Sequence, residues 1–312
     1  MRLAELRAAR RFEVIDVPVP EPGPDEVLVR VANCGVCASE LSTWSGHAPI
    51  DLPARIGHEV SGTVAACGSA VRGFAVDDAV AVWTTGSGYA DYVAVPAAYC
   101  RAVSAVPLEQ ALAEPIACAV NAVELARVRL ADDVVVIGAG FMGLLVPQLA
   151  LLRGARQVLV ADPRPDAREL ALRLGASRAV EPGALPAAVR ESTGDVGADV
   201  TFEVTGVQAG LDAVGDVTRM SGTVGLVGFH QGEPRQIPLA QWNWLAFTIA
   251  NGHVRDAHTI MTGFSTGMRL LESHQLQMAP LMTHRFDLEQ INDAFATAVD
   301  KPAGFVKATV VM

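Results

Sequence analysis

The chain has 312 residues, 51% of them apolar and 5% aromatic, with 24 Lys and Arg against 34 Asp and Glu, a formal net charge of −10. That length can bury a large core and suggests about two domains. The acidic balance, with no basic run longer than Arg10-Arg11, excludes a nucleic-acid partner held by its phosphates, which requires a basic face. The N-terminal MRLAELRAARRFEV carries charges where a signal peptide has its apolar stretch. Five cysteines (Cys34, Cys37, Cys67, Cys100, Cys118) are an odd number without disulfide-framework spacing, which fits a reducing, cytoplasmic setting.

The first hundred residues read as short strands broken by Gly, Pro and Asp turns. Strands are expected over Phe12–Val17, Glu26–Ala32, Ile56–Val64, Ala79–Val82 after a turn at Asp77-Asp78, and Tyr89–Val95. A small-residue loop, Asn33 to Glu40, leads into a short helix. This texture predicts a compact, barrel-like β domain. Beyond Pro107 it changes: Ala111–Arg127 reads as helical, with Pro115 starting or kinking it. From Asp133 strands (134–137, 158–161, 178–181, 199–203, 223–227) alternate with helices (141–153, 164–174, 184–192, 207–218), the rhythm of a doubly wound parallel sheet. The rhythm ends near Ile249. A helix over 256–274, a strand at Thr283–Phe286, a helix over 288–299 and a strand at Phe305–Val311 follow. The apolar run Val134–Leu152 has the length of a membrane span, but its glycines, Pro147 and Gln148 fit strand, turn and helix better, so no membrane partner is expected.

Within Val134–Leu145, four β-branched residues precede Gly138, Gly140 and Gly143 in G-x-G-x-x-G spacing. Such a loop turns tightly, admits a pyrophosphate close to its backbone and packs the next helix on the strand; Phe141 and Met142 open that helix, whose N–H groups face the phosphates. A second strand ends in Asp162, where a coenzyme ribose needs a hydrogen-bond acceptor. The Asp162 charge favours NAD over NADP, and Arg164, two residues on, could instead accommodate a 2′-phosphate.

Cys37, His58, Glu59 and Glu114 supply thiolate, imidazole and carboxylate, a donor set that suits Zn²⁺ with one open position. Taken singly, Cys37 also fits a redox pair with Cys34, His58 a hydrogen-bonded core histidine, and Glu114 a helix N-terminal carboxylate. Beside a dinucleotide fold these alternatives weaken, because hydride transfer needs a Lewis acid on the carbinol oxygen. His230 and Gln231 follow the strand at 223–227, at a carboxyl end where ligands bind, and Trp44 follows the Cys37 loop; these three are expected to line a substrate pocket. Trp242, Trp244 and His253 lie beyond, with packing or a subunit interface an equal reading for the tryptophans.

These motifs resemble the zinc-dependent medium-chain dehydrogenase/reductase family of alcohol, sorbitol and threonine dehydrogenases. Gly35-Val-Cys-Ala-Ser-Glu40 is similar to its G-I-C-G-[ST]-D, Gly57-His-Glu59 to its G-H-E, Glu114-Pro115 to the E-P of its polyol branch, and Gly138–Gly143 to its coenzyme loop. The resemblance runs from Pro20 to the Gly304–Ala308 ending. It implies an α/β protein with a GroES-like β-barrel catalytic domain (1–118 and 256–312) and an inserted Rossmann NAD-binding domain (119–255). It implies Cys37 and His58 as zinc ligands, with Glu59 or Glu114 as the third. Ser39 would take the alcohol proton, Glu40 would orient His58, and Lys307 would reach the pyrophosphate. The family's four-cysteine structural-zinc lobe is absent, so one zinc is expected. The histidine that ends the family's proton relay falls at Ser42, leaving Ser42, water, a cofactor hydroxyl or His47 as the exit. Glu40 is one methylene longer than the family's Asp. The expected activity is hydride transfer between a secondary alcohol (polyol, cyclitol or amino alcohol) and NAD, in a dimer or tetramer assembled through the sheet edge near 223–250. A metal-free enone or quinone reductase of the superfamily and a non-catalytic NAD-binding regulator are the rival readings.

Overall fold

In the computed structural model, which describes residues 1–312, the charged N-terminus is itself a strand. β1 (Arg2–Ala8) pairs antiparallel with β2 (Arg11–Asp16), and Leu3, Ala4 and Leu6 are buried while most of its charged residues reach outward. Its buried residues Leu3 to Leu6 are consecutive and include Glu5, so the strand has no two-residue alternation to reveal it.

β3 (Glu26–Gly35) is three residues longer than its alternation predicts and is the hub of this first unit. Its first half pairs with β6 (Tyr92–Pro96), its full length with β4 (Glu59–Cys67), and β5 (Ala79–Trp83) and β7 (Cys100–Ala102) extend the sheet beyond β4. Helix α1 (Ala38–Trp44) follows β3 directly, with Cys37 at its N-cap position.

Helix α2 (Ala113–Leu125) carries Glu114 and Pro115 in its first turn, where the missing proline N–H costs no helical bond. Then β8 (Asp133–Ile137), α3 (Phe141–Leu152), β9 (Gln157–Ala161), α4 (Pro165–Arg173), β10 (Arg178–Val180), α5 (Leu185–Thr193), β11 (Ala198–Glu203), α6 (Gln208–Val217) and β12 (Thr218–Leu226) alternate as the pattern requires. Between β12 and α8 two further elements were not expected: a short helix α7 (Leu239–Trp244) and β13 (Thr248–Asn251). β13 adds a sixth strand, so the rhythm persists one strand past Ile249. It is mostly exposed and therefore lacks the apolar signature of the inner strands. All six strands are parallel in the order β10-β9-β8-β11-β12-β13. The order reverses between β8 and β11, and the loops that leave their carboxyl ends diverge there, which is where such sheets bind ligands.

Helix α8 (Ala257–Glu272) returns the chain to the first unit, where β14 (Met282–Asp287), α9 (Ile291–Asp300) and β15 (Lys307–Val311) complete a seven-stranded sheet, with β15 against the end of β3. Residues 1–116 and 264–312 form one unit and 117–263 the other. The dividing points fall inside α2 and α8, not at 118/119 and 255/256, because a continuous helix carries no compositional break to mark where it changes neighbours. The core of the first unit includes Phe12, Trp44, Tyr89 and Phe295; that of the second is built from strand and helix aliphatics such as Val135, Leu159, Leu185 and Leu211. No helix is long and apolar enough to cross a membrane, and the run Val134–Leu152 is divided between β8 and α3.

The close packing of α3 on β8 depends on Gly143: a Cβ there would stand 1.8 Å from the Gly138 carbonyl oxygen. Gly143→Ala is accordingly expected to cost about 1–3 kcal/mol of stability by overpacking, read by urea denaturation; an unchanged midpoint would show that this helix can shift freely on its strand.

Candidate metal and coenzyme sites

The register of three strands builds the first site. Gly35, at the end of β3, pairs with Glu59, at the start of β4, and with Thr309 of β15. Cys37 stands two residues beyond Gly35, His58 one before Glu59, and Lys307 two before Thr309. Residues far apart in sequence are thereby gathered at one sheet end. The ligand atoms of Cys37, His58 and Glu59 all lie within 4.8 Å of one another. Ser39, in the first turn of α1, donates its hydroxyl hydrogen bond to Cys37 Sγ at 3.2 Å.

His58 Nδ1 donates to Glu40 Oε1 at 3.1 Å, leaving Nε2 as the nitrogen for a metal. The same carboxylate accepts the Gly57 N–H at 2.7 Å and the Tyr89 hydroxyl at 2.7 Å. Burial of Glu40 would raise its pKa, but the His58 charge and these hydrogen bonds outweigh it and hold the carboxyl below its ordinary value. Burial likewise opposes the charged form of His58, yet Glu40 and Cys37 on either side lift its pKa well above the ordinary value in the metal-free protein.

Lys307 donates to the Val36 carbonyl at 2.9 Å and to Glu59 Oε1 at 2.7 Å. Glu59 Oε2 is 2.6 Å from the same ammonium but has no well-aligned hydrogen bond of its own. Both side chains are almost fully buried. Burial lowers the Lys307 pKa, and the charges of Glu59, Cys37 and Glu114 more than reverse this. Lys307, expected against a pyrophosphate, therefore has its ammonium committed within the first unit; the resemblance did not reveal that its strand would begin beside Glu59. Glu114 lies outside the three-residue cluster and contributes charge from the first turn of α2. Trp44 corrects another expectation. It is 4% exposed, its ring 5.6 Å from that of Phe295, with Arg10 stacked 5.8 Å away. It is core rather than pocket wall, because α1 turns its last residue inward.

The donor set fits zinc: one sulfur, one nitrogen and one carboxylate oxygen converge, and the imidazole is oriented by a carboxylate on its other nitrogen.

The second unit holds the glycine loop. Gly138 has φ +103°, and a Cβ on Gly140 would meet nothing within 4 Å, so the loop leaves open space where a pyrophosphate would approach. Phe141 and Met142 open α3, and the first N–H groups of a helix have no partner within it. Asp162 Oδ2 accepts the Ala139 N–H at 2.7 Å, and Oδ1 accepts the Arg164 N–H at 2.9 Å with Arg164 Nε at 3.3 Å. The acid thus fastens the loop and holds Arg164. A network that sequence reasoning missed lies at the ends of β11 and β12. Buried Glu203 accepts the Thr205 and Gly206 N–H groups, a close hydrogen bond from the Thr205 hydroxyl, and His230 Nε2 at 2.8 Å. Gln231 follows His230 in this loop, and His253 packs on Phe229 with ring centroids 5.2 Å apart. Only Glu203 itself, a lone carboxylate ending an apolar strand, could have signalled this network.

Residues 23–105 match the family described as alcohol dehydrogenase GroES-like domain and residues 142–272 the family described as zinc-binding dehydrogenase. Sorbitol dehydrogenase of Gallus gallus is 30% identical, over 95% of this chain and 91% of its own. The 2-dehydro-3-deoxy-L-galactonate 5-dehydrogenase of Pseudoalteromonas atlantica is 29% identical, over 99% and 98%. A Sinorhizobium meliloti protein described as a zinc-binding dehydrogenase and solved bound to NADP superposes with a TM-score of 0.87 at 26% identity, over 100% and 99% of the two chains. The chain belongs to the zinc-type medium-chain dehydrogenase family, with its GroES-like and zinc-binding dehydrogenase domains.

The Lys307–Glu59 pair can be tested directly. Lys307→Met leaves a buried carboxylate uncompensated and is expected to cost about 3–5 kcal/mol, most of which Lys307→Met with Glu59→Leu should recover. Denaturant midpoints check both; a single variant as stable as the parent would show that water reaches Glu59.

Proposed function

We propose that this chain is a zinc-dependent dehydrogenase that interconverts a secondary alcohol of the polyol class and its ketone, with NAD as coenzyme. The observation that carries this is the convergence of Cys37, His58 and Glu59 within 4.8 Å, with the Ser39 hydroxyl 3.2 Å from the thiolate. The names of the sugar-acid and sorbitol dehydrogenase relatives support the substrate class.

In this reading Cys37, His58 and Glu59 would hold one zinc ion, which would supply a Lewis acid for the substrate oxygen. Glu40 keeps His58 in the tautomer with Nε2 bare. Ser39 Oγ receives the proton from the substrate hydroxyl and passes it outward. Lys307 balances the carboxylate and thiolate charge gathered around it. Glu114 adds a carboxylate from α2. The glycine loop and the start of α3 take the coenzyme pyrophosphate, and Asp162 faces the ribose. Its negative charge disfavours a 2′-phosphate, whereas Arg164, already tied to Asp162, is not free to reverse that preference. His230 and Gln231 contribute polar groups near the coenzyme end of the second unit's sheet. β13, an outer strand with Ile249 47% exposed and close in sequence to Trp244 at 78%, is the edge through which two copies would join. Nothing in the geometry favours the metal-free reductase or the regulator.

The test is activity on a panel of polyols, cyclitols and amino alcohols, beside elemental analysis of dialysed protein. Cys37→Ala and His58→Ala are expected to lower kcat/KM by about a thousandfold or more, the loss of a Lewis acid's several kcal/mol, with NAD affinity retained. Full turnover in either folded variant would overturn the reading. Asp162→Asn keeps an acceptor for the Ala139 N–H but removes the charge, and should shift the kcat/KM preference toward NADP by about tenfold. An unchanged NAD/NADP ratio would mean that Asp162 does not set the choice.

A further inference from the structure

We propose that Tyr89 is the positioning residue that sets the metal-binding imidazole of His58, acting through Glu40; the inference rests on the zinc reading above. Tyr89 is fully buried, its ring 6.2 Å from Phe12 and 5.7 Å from Phe295, and a phenylalanine would fill the same volume. What distinguishes it is the hydroxyl. That group is 2.7 Å from Glu40 Oε2 and 3.0 Å from the Gly35 carbonyl oxygen. It has one proton for two acceptors, and the carboxylate is both nearer and charged, so it holds the stronger bond.

Glu40 is thereby gripped at both ends. Oε2 takes Tyr89, while Oε1 takes the Gly57 N–H and His58 Nδ1–H. Without Tyr89, the carboxylate could rotate about its last torsion, and the imidazole would lose its fixed acceptor. The length of Glu40 matters here: on the same backbone, an aspartate one methylene shorter is expected to lose one of the two contacts, and with it the link from Tyr89 to His58.

The backbone brings these groups together independently of the side chains. Gly88 N–H donates to the Gly57 carbonyl at 3.0 Å. Gly57 has φ +104°, and a Cβ there would stand 2.8 Å from Tyr89 N. The turn that carries His58 is therefore laid directly on the backbone that carries Tyr89. One contact fixes the His58 main chain, a second fixes its ring, and the third, Tyr89, fixes the group that holds the ring.

The experiment is a double-mutant cycle on zinc affinity, measured by competition with a chromophoric chelator, for the parent, Tyr89→Phe, Glu40→Asp and the double variant. Tyr89→Phe is expected to weaken zinc binding by about tenfold or more, as for other groups that orient a ligand. In the Glu40→Asp background the same substitution should have little further effect, because the shorter side chain no longer reaches the hydroxyl. Parent-like affinity in Tyr89→Phe, or an equal loss in both backgrounds, overturns the inference and makes Tyr89 a core residue only. Cobalt in place of zinc gives a reading that does not need Glu40→Asp: the absorption bands of the thiolate-ligated ion should shift in Tyr89→Phe, and unchanged bands overturn the proposal. A parent protein that takes up no zinc defeats the metal reading itself, and this inference with it.

Discussion

The pairing of Gly35 with Glu59 on one side and with Thr309 on the other is the constraint on which the candidate metal site depends. Strand register has a period of two, and a slip of one residue turns every side chain to the opposite face. Here such a slip in β4 would carry His58 and Glu59 away from Cys37, and one in β15 would withdraw Lys307 from Glu59. The crossing is so close that a Cβ on Gly35 would stand 2.0 Å from Glu59 Oε2. Small size at this position is what lets a carboxylate, an ammonium and a cysteine sulfur occupy one sheet end.

Gathering charges out of water is costly unless each finds a partner. The site meets that condition with two separate arrangements. Lys307 faces Glu59 and the Val36 carbonyl; Glu40 faces His58, Tyr89 and the Gly57 N–H. Each carboxylate is bound by groups from different strands or loops, so the charges also cross-link the unit. The sulfur of Cys37 has the Ser39 hydroxyl as donor. The result is a set of candidate ligand side chains whose positions are fixed by their own hydrogen bonds, the kind of support that sites on strand ends can provide.

The second unit solves a different problem by the same economy of space. A parallel sheet exposes its loops at the carboxyl ends of the strands, and the reversal between β8 and β11 separates two of them. Gly143 admits α3 onto β8, Gly140 leaves room above the loop, and Asp162 fastens the loop through Ala139. Glu203 does the corresponding work one strand away, tying Thr205, Gly206 and His230 to the end of β11. Buried acids at the ends of β9 and β11, the two strands that flank β8, thus fasten the loops on either side of it.

Local sequence determined whatever depends on neighbours along the chain. The alternation of β8 through β12 with their helices, the glycine loop and the acid at the end of β9 all follow from periodicity and turn chemistry, and the apolar runs carried them plainly. Cys37, His58 and Glu59 were legible as ligand types, and the G-H-E and C-x-S motifs marked their places. What tertiary structure decided was every pairing across distance. It brought Cys37, His58 and Glu59 within 4.8 Å of one another, gave Lys307 to Glu59, and turned Trp44 into the core. It set Tyr89 against Glu40, 49 positions away. β1 and β13 escaped notice because an edge or two-stranded pair needs little apolar surface of its own. The reason is general: period and composition report which face of an element is buried, but only the register of strands remote in sequence settles which side chains meet there.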